Sequence, residues 1–234
     1  MKFDPPLQPA TLIKRYKRFL ADVKLDNGEL LTVHCANPGS MLGMKDEGAR
    51  IWISDSQNPK RKLLYSWELI ELADGAMACV NTARPNHIVH DAIRAGAIPE
   101  LAGYESCRPE VKYGTGSRID LLLEDKKKPP CYVEIKSVTL SRKPGKAEFP
   151  DSTTARGTKH MQELALRAVD GDRAVVFFLV SRTKTDHFTP AEDIDPAYGA
   201  ALRNAIASGV EAICYSCRID PTEIILNHPL PIRL

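Results

Sequence analysis

The chain has 234 residues, 43% of them apolar and 26% charged, and its 32 Lys and Arg against 30 Asp and Glu leave a net charge of +2. These are the proportions of a soluble globular protein with room for one large or two small cores, and so slight an excess of positive charge does not by itself call for nucleic acid. No apolar run approaches the roughly 20 residues of a membrane helix, and Met1–Pro9 holds no hydrophobic signal region, so a cytoplasmic protein is expected.

The charge is unevenly placed. Residues 11–20 hold four basic groups and no acid, and residues 136–167 hold seven basic groups against three acids. Six cysteines are scattered at Cys35, Cys79, Cys107, Cys131, Cys214 and Cys217. Without a signal peptide they read as reduced and partly buried, not as a disulfide framework.

In chain order, Leu12–Lys24 and Glu29–Cys35 flank Asp26-Asn27-Gly28, which predicts a hairpin. Its first strand, Lys14–Phe19, mixes basic and apolar groups on both faces. The set Lys14, Arg15, Tyr16, Lys17 and Arg18 suits a platform for a single nucleic-acid strand, and a solvated edge strand guarded by lysines accounts for it as well. Asn37-Pro38-Gly39-Ser40 is a turn whose amides and hydroxyl could receive a phosphate. Ala49–Ser54, with Trp52, is a strand. Lys60, Arg61 and Lys62 form a basic loop, and Leu63–Leu72, with Trp67, is apolar again. Short strands at this spacing predict a small barrel over residues 1–80, with both tryptophans in its core.

A boundary is expected between Gly75 and Pro85, opening a second domain over residues 81–234. Asn86–Ile98 repeats apolar residues at helical spacing (Ile88, Val89, Ala92, Ile93, Ala97) and ends before Pro99. Glu110–Tyr113, Ile119–Leu123 and Cys131–Ile135 read as successive strands, with turns at Gly114–Gly116 and Asp125–Pro130. After a loop, Ser152–Val169 is a helix on which Arg156, Lys159, His160 and Glu163 share one face. Arg173–Val180 is a continuous apolar run, the mark of a buried parallel strand. A helix at Tyr198–Ser208, a last strand at Val210–Cys217 and a proline-rich surface tail complete the chain. Cys214 and Cys217 lie three apart on that strand and face opposite sides, which argues against a shared zinc site.

The chemistry concentrates at Asp120, Glu134 and Lys136. Asp120 interrupts one apolar strand. Glu134 and Lys136 close the next and point to one face, with Ile135 pointing away. Two carboxylates suit a hard divalent cation such as Mg²⁺ or Mn²⁺, and the Ile135 carbonyl offers a third oxygen. A neighbouring lysine can orient the attacking water and offset charge on a phosphate. An exposed Glu-x-Lys pair is the ordinary alternative.

Asp120 followed by Glu134-Ile135-Lys136 resembles the PD-(D/E)xK nuclease motif, with Ile119 in place of the motif's proline. The segments Arg15–Val23, Val33–Met41, Asn58–Lys62, Val111–Gly114 and Phe149–Asp151, with Arg156-Gly157 and Lys159-His160, resemble the SfsA (sugar fermentation stimulation) family over nearly the whole chain. The resemblance implies a two-domain α+β chain: an N-terminal OB-like small β-barrel, then an α/β PD-(D/E)xK nuclease-like domain with a central mixed sheet. It further implies DNA binding and, by the habits of that fold, an acidic metal ligand on the first helix, Asp91 or, failing that, Glu110. The second helix would contribute Arg156 and Lys159 to phosphate and His160 to proton transfer. Two functions follow. One is a metal-dependent nuclease acting at Asp120, Glu134 and Lys136. The other is a non-catalytic DNA-binding regulator of sugar (maltose-type) metabolism genes that retains the fold.

Overall fold

The structure is a computed structural model and describes residues 1–114 and 116–234. The N-terminal strands are β1 (Gln8–Tyr16), β2 (Leu20–Leu25), β3 (Leu30–His34), β4 (Arg50–Asp55), β5 (Tyr65–Glu71) and the short β6 (Met77–Cys79). β1 runs antiparallel to β2 and β4, β2 to β3, and β4 to β5. A parallel bridge from His34 on β3 to Ser66 on β5 closes five of them into an OB barrel, and closure leaves no bare sheet edge among those five. Alternate residues fill the interior, among them Leu12, Val23, Val33, Ile51, Ile53 and Trp67. Trp67 is fully buried, and its indole N–H donates to the Leu69 carbonyl at 2.9 Å. Trp52 points outward and packs, partly buried, on the core of the second domain.

The Asn27-Gly28 hairpin forms as expected, between β2 and β3. The strand expected at Lys14–Phe19 is cut short at Tyr16, because Lys17 and Arg18 turn the chain at φ of 46° and 63°. Long cationic residues rarely take that conformation, so composition hides this turn.

The second domain comprises α1 (Arg84–Arg94), β7 (Ser106–Tyr113), β8 (Ser117–Asp125), β9 (Lys128–Val138), β10 (Leu140–Lys143), β11 (Gly145–Phe149), α2 (Ala155–Val169), β12 (Arg173–Val180), β13 (Thr185–Pro190), α3 (Pro196–Ala207), β14 (Glu211–Ile219) and β15 (Ile224–Pro229). Six strands form a mixed sheet in the order β15-β14-β12-β9-β8-β7, and β10, β11 and β13 form a smaller one. β12 lies parallel to both β9 and β14. Ala174–Val180 are all buried, so the continuous apolar run is the centre of the sheet. α1 packs Ile88, Val89 and Ala92 on one face, while α2 and α3 cover the other with Met161, Leu164, Tyr198 and Leu202.

Local chemistry sets the helix ends. α1 stops at Arg94, earlier than expected, because Gly96 takes φ of 70°. The Thr154 side chain caps α2 by accepting the Gly157 amide at 3.0 Å. Asp195 caps α3 through Tyr198 and also accepts the Thr154 amide at 2.7 Å, tying the two helix starts together. The loop expected after Lys136 is instead the end of β9 and the β10–β11 hairpin. The proline-rich tail carries β15, paired on β14. Within the expected Gly114–Gly116 turn, Thr115 lies outside the described residues. All six cysteines are free, with Cys214 and Cys217 in the cores on opposite faces of the sheet.

The barrel is fixed to the second domain along β6. The Cys79 amide donates to Ser181 at 2.9 Å, the Met77 amide to the Thr183 hydroxyl at 2.9 Å, and Arg182 pairs with Asp74. Among the described residues no helix is long and apolar enough to cross a membrane.

Candidate functional site

β8 and β9 pair as far as Leu121 and Val133 and then part. Where they part, Asp120 turns its carboxylate to the vacated position. Its Oδ2 accepts the Ile135 amide at 2.7 Å, and its Oδ1 accepts the Asn86 side chain of α1 at 2.9 Å. On β9, strand alternation sends Glu134 and Lys136 to the face covered by α2, and both are buried. Glu134 Oε1 accepts Lys136 Nζ at 2.8 Å and also meets Nδ1 of His160 from α2. Nε2 of His160 faces the Arg156 Nε donor at 3.3 Å, so both ring nitrogens are engaged. Glu134 Oε2 is buried with no hydrogen-bond partner among the described residues.

These groups lie in a cleft of about 460 Å³. The second domain contributes Asp120, Glu134, Lys136, Phe149–Thr154, Arg156 and His160. The barrel contributes Asn37, Pro38 and Gly39. That barrel loop is held on both sides. Arg15 Nη2 donates to the carbonyls of Asn37 at 2.9 Å and Gly39 at 3.1 Å. Asp151 accepts the Met41 amide at 2.9 Å and the Ser40 hydroxyl at 3.1 Å. Of the groups expected to be available for a phosphate, the Ser40 hydroxyl is spent on Asp151 across this junction and the Gly39 amide on Asn37 Oδ1 within the loop.

The electrostatics separate the two carboxylates. Burial and the nearby Glu134 charge push Asp120 up to about 6, against the amide of Ile135, Asn86 and Lys136. Burial also raises Glu134, but Lys136 and His160 outweigh it and hold that carboxyl below its ordinary value. At neutral pH both are ionised. A third acid on the cleft wall, Glu148, is raised by burial, yet Arg142 and Lys146 hold it at about 2. Its oxygens are already paired with cations.

Asp120, Glu134, Lys136 and His160 thus converge, with Ile135 between the two partners of the motif. Asp91 does not join them. It stands on the outer side of α1, about two-thirds exposed, beside His90, and α1 sends Asn86 to the cleft instead. Glu110 is exposed on β7, at φ of 55°, and is not part of the cleft wall. Arg156 lines the cleft, whereas Lys159 is half-exposed and pairs with Glu163 at 3.6 Å. In the barrel, Lys14 and Tyr16 are drawn to Asp22, Arg15 is the clamp described above, and Lys17 and Arg18 stand exposed on the turn. Lys60 and Lys62 are exposed on their loop, and Arg61 donates to the Ser66 hydroxyl at 3.3 Å. No three His, Cys, Asp or Glu side chains gather with metal-holding geometry among the described residues. The side-chain donors are two carboxylates, a set a hard cation completes with water and substrate oxygens.

Asn86 and the Asn37–Gly39 wall were not singled out for these roles by sequence. The asparagine opens its helix like any polar first-turn residue, and the wall depends on a contact between domains.

Residues 83–223 match the family described as "Sugar fermentation stimulation protein RE domain", and residues 13–80 match "SfsA N-terminal OB domain". Two relatives named sugar fermentation stimulation protein homolog span essentially the whole chain. The one from Ruegeria sp. (strain TM1040) is 53% identical over 99% of this chain and 100% of its own length. The one from Maricaulis maris (strain MCS10) is 51% identical over 100% of this chain and 99% of its own. A solved structure, "The structure of Pyrococcus Furiosus SfsA in complex with Ca2+", superposes with a TM-score of 0.89 at 27% identity, over 100% of this chain and 98% of that one. The OB barrel, the mixed-sheet domain and the sequence matches agree along the full length: this chain belongs to the sugar fermentation stimulation (SfsA) family.

Proposed function

We propose that this protein hydrolyses phosphodiester bonds in DNA with a divalent cation, Mg²⁺ or Mn²⁺, at the cleft between its domains. One observation carries the reading. Glu134 Oε2 is buried without a hydrogen-bond partner among the described residues, in the cleft that Asp120 also lines, and an ionised oxygen in that state is costly unless a cation or water meets it. Asp120, Glu134 and the Ile135 carbonyl are the residues that would hold the ion. The Ca²⁺ complex of the Pyrococcus furiosus relative supports a hard oxygen-seeking cation at this fold. Such an ion, when bound, acts as a Lewis acid and lowers the pKa of a coordinated water.

The chain's own groups do the rest. Lys136 keeps one N–H on Glu134 Oε1 and has two more for a phosphoryl oxygen. His160 acts as a positioning residue. With Nδ1 on Glu134 and Nε2 toward Arg156, it fixes the carboxylate instead of shuttling a proton to substrate. Arg156, exposed on the cleft edge, offers a guanidinium to a backbone phosphate.

The test is cleavage of labelled single- and double-stranded DNA with Mg²⁺, Mn²⁺ or chelator, wild type beside Lys136→Ala. Metal-dependent cleavage lost in the variant is the expected result. Binding without cleavage by the wild type in every metal would replace the nuclease with the DNA-binding regulator.

A further inference from the structure

Phe19 is the one aromatic among the large apolar side chains left exposed in the described residues, at 43%. It stacks on His34, with centroids 6.4 Å apart and planes 29° from parallel. The Lys17-Arg18 turn delivers Phe19 to the start of β2, where its carbonyl accepts the Cys35 amide at 2.9 Å. His34 lies in the next strand, opposite Leu20. Cations surround the pair. Lys17 and Arg18 stand on the turn, and Arg61 donates to Ser66, the residue that bridges His34 across the barrel closure. Burial and the Arg61 charge hold the imidazole below its ordinary value, so the ring is neutral at physiological pH and presents a π-face.

The position is as telling as the composition. From His34 the chain runs through Cys35 and Ala36 to Asn37, three residues or about 10 Å. The Ala36 carbonyl accepts both the amide and the hydroxyl of Thr82. Asn37 and Thr82 both line the cleft. An exposed phenyl ring stacked on a half-buried imidazole and flanked by cations therefore leads to the site.

We infer that Phe19 and His34 form a base-stacking platform that selects single-stranded over duplex DNA and leads the strand toward the cleft, with Lys17, Arg18 and Arg61 meeting its phosphates. The inference rests on the reading that DNA is the substrate and names the form of DNA. A duplex keeps its base faces stacked inside and offers only edges and phosphates, whereas an unpaired base can stack on an exposed ring. A cross-strand pair serving only the barrel would give no preference between the two forms.

The experiment measures binding of the full chain, in chelator, to a fluorescent oligothymidylate and to a labelled duplex. Wild type is expected to prefer the single strand. Phe19→Ala and His34→Ala should each weaken single-strand binding about tenfold while duplex binding moves by less than about twofold. Phe19→Trp, which keeps a stacking ring, should restore the affinity. Unchanged unfolding midpoints show that the variants are folded. Equal affinity of wild type for both forms, or equal effects of the variants on both, would overturn the platform and leave the cleavage reading intact. A platform confirmed in binding, with no cleavage under any metal, would sink the cleavage reading alone.

Discussion

Asp120 Oδ2 accepts the amide of Ile135 at 2.7 Å at the place where β8 and β9 cease to pair. The carboxylate stands in for the missing ladder partner, so the gap that lets two acids approach also keeps the backbone satisfied. Burial and the Glu134 charge together raise Asp120 to about 6. Its neutral form is therefore favoured in the metal-free fold below that pH, and its charged form above it.

A cation at this site must displace the Asp120 proton at low pH. Affinity for Mn²⁺ should be nearly flat above about pH 7 and fall about tenfold per unit below about pH 6. Calorimetric titration from pH 5 to 8 checks this. Proton release per bound ion should rise as pH falls, and Asp120→Ala should abolish both signals. A flat affinity across that range would remove Asp120 from the ligand set.

His160→Ala deletes the group that fixes Glu134 from α2. It should weaken metal binding or activity about 10- to 100-fold, the usual cost of losing a support behind a ligand. His160→Gln, which can still hydrogen-bond to Oε1, should recover part of it. If His160 moved protons instead, the pH profile of cleavage would lose a limb and the metal affinity would not change.

Much of this site was legible because strand alternation is a strict rule. Glu134 and Lys136 had to share a face, and Asp120 stood out as a carboxylate in an apolar strand. The barrel was legible from its spacing of short strands and the Asn27-Gly28 turn. Contacts distant in sequence were hidden. Arg15 reads as a surface cation among four, yet it grips a loop more than twenty residues away. Asp91 has the right chemistry and sits on the wrong side of α1, which only the packing of Ile88, Val89 and Ala92 against the sheet decides. β13 was missed because among its six residues only Phe188 and Pro190 are buried, leaving no apolar run to notice.

The junction between domains is expected to be stiff and sensitive. Asp151→Ala removes the acceptor for the Met41 amide and the Ser40 hydroxyl and should cost about 1–3 kcal/mol. A Cβ on Gly39 would meet Asp151 Oδ2 at 3.0 Å and Asn37 Oδ1 at 3.1 Å, so Gly39→Val should loosen the same contact by about 1–3 kcal/mol through overpacking. Denaturant midpoints measure the stability, and cleavage assays should show losses larger than the unfolded fraction explains. Full activity in a destabilised Gly39→Val protein would mean the barrel loop does not shape the cleft.

Neighbouring cations in β1 and its turn should separate cleanly in their effects. Arg15 Nη2 spans two carbonyls of the cleft wall, so Arg15→Ala should lower stability by about 1–3 kcal/mol, because it strips a charged donor from both. Lys17 and Arg18 are exposed on the turn, and their replacement by alanine should leave the fold nearly as stable. If they meet phosphates, the double variant should instead flatten the salt dependence of DNA binding, by roughly 0.7 in slope for each single-strand phosphate left without its cation. The paired measurement is a denaturation curve and a binding isotherm series from low to moderate salt. A stability loss confined to Arg15→Ala and a slope change confined to the turn variant would assign one cation to architecture and two to DNA. An unchanged slope in the turn variant would leave Lys17 and Arg18 as solvating charges on an unusual turn.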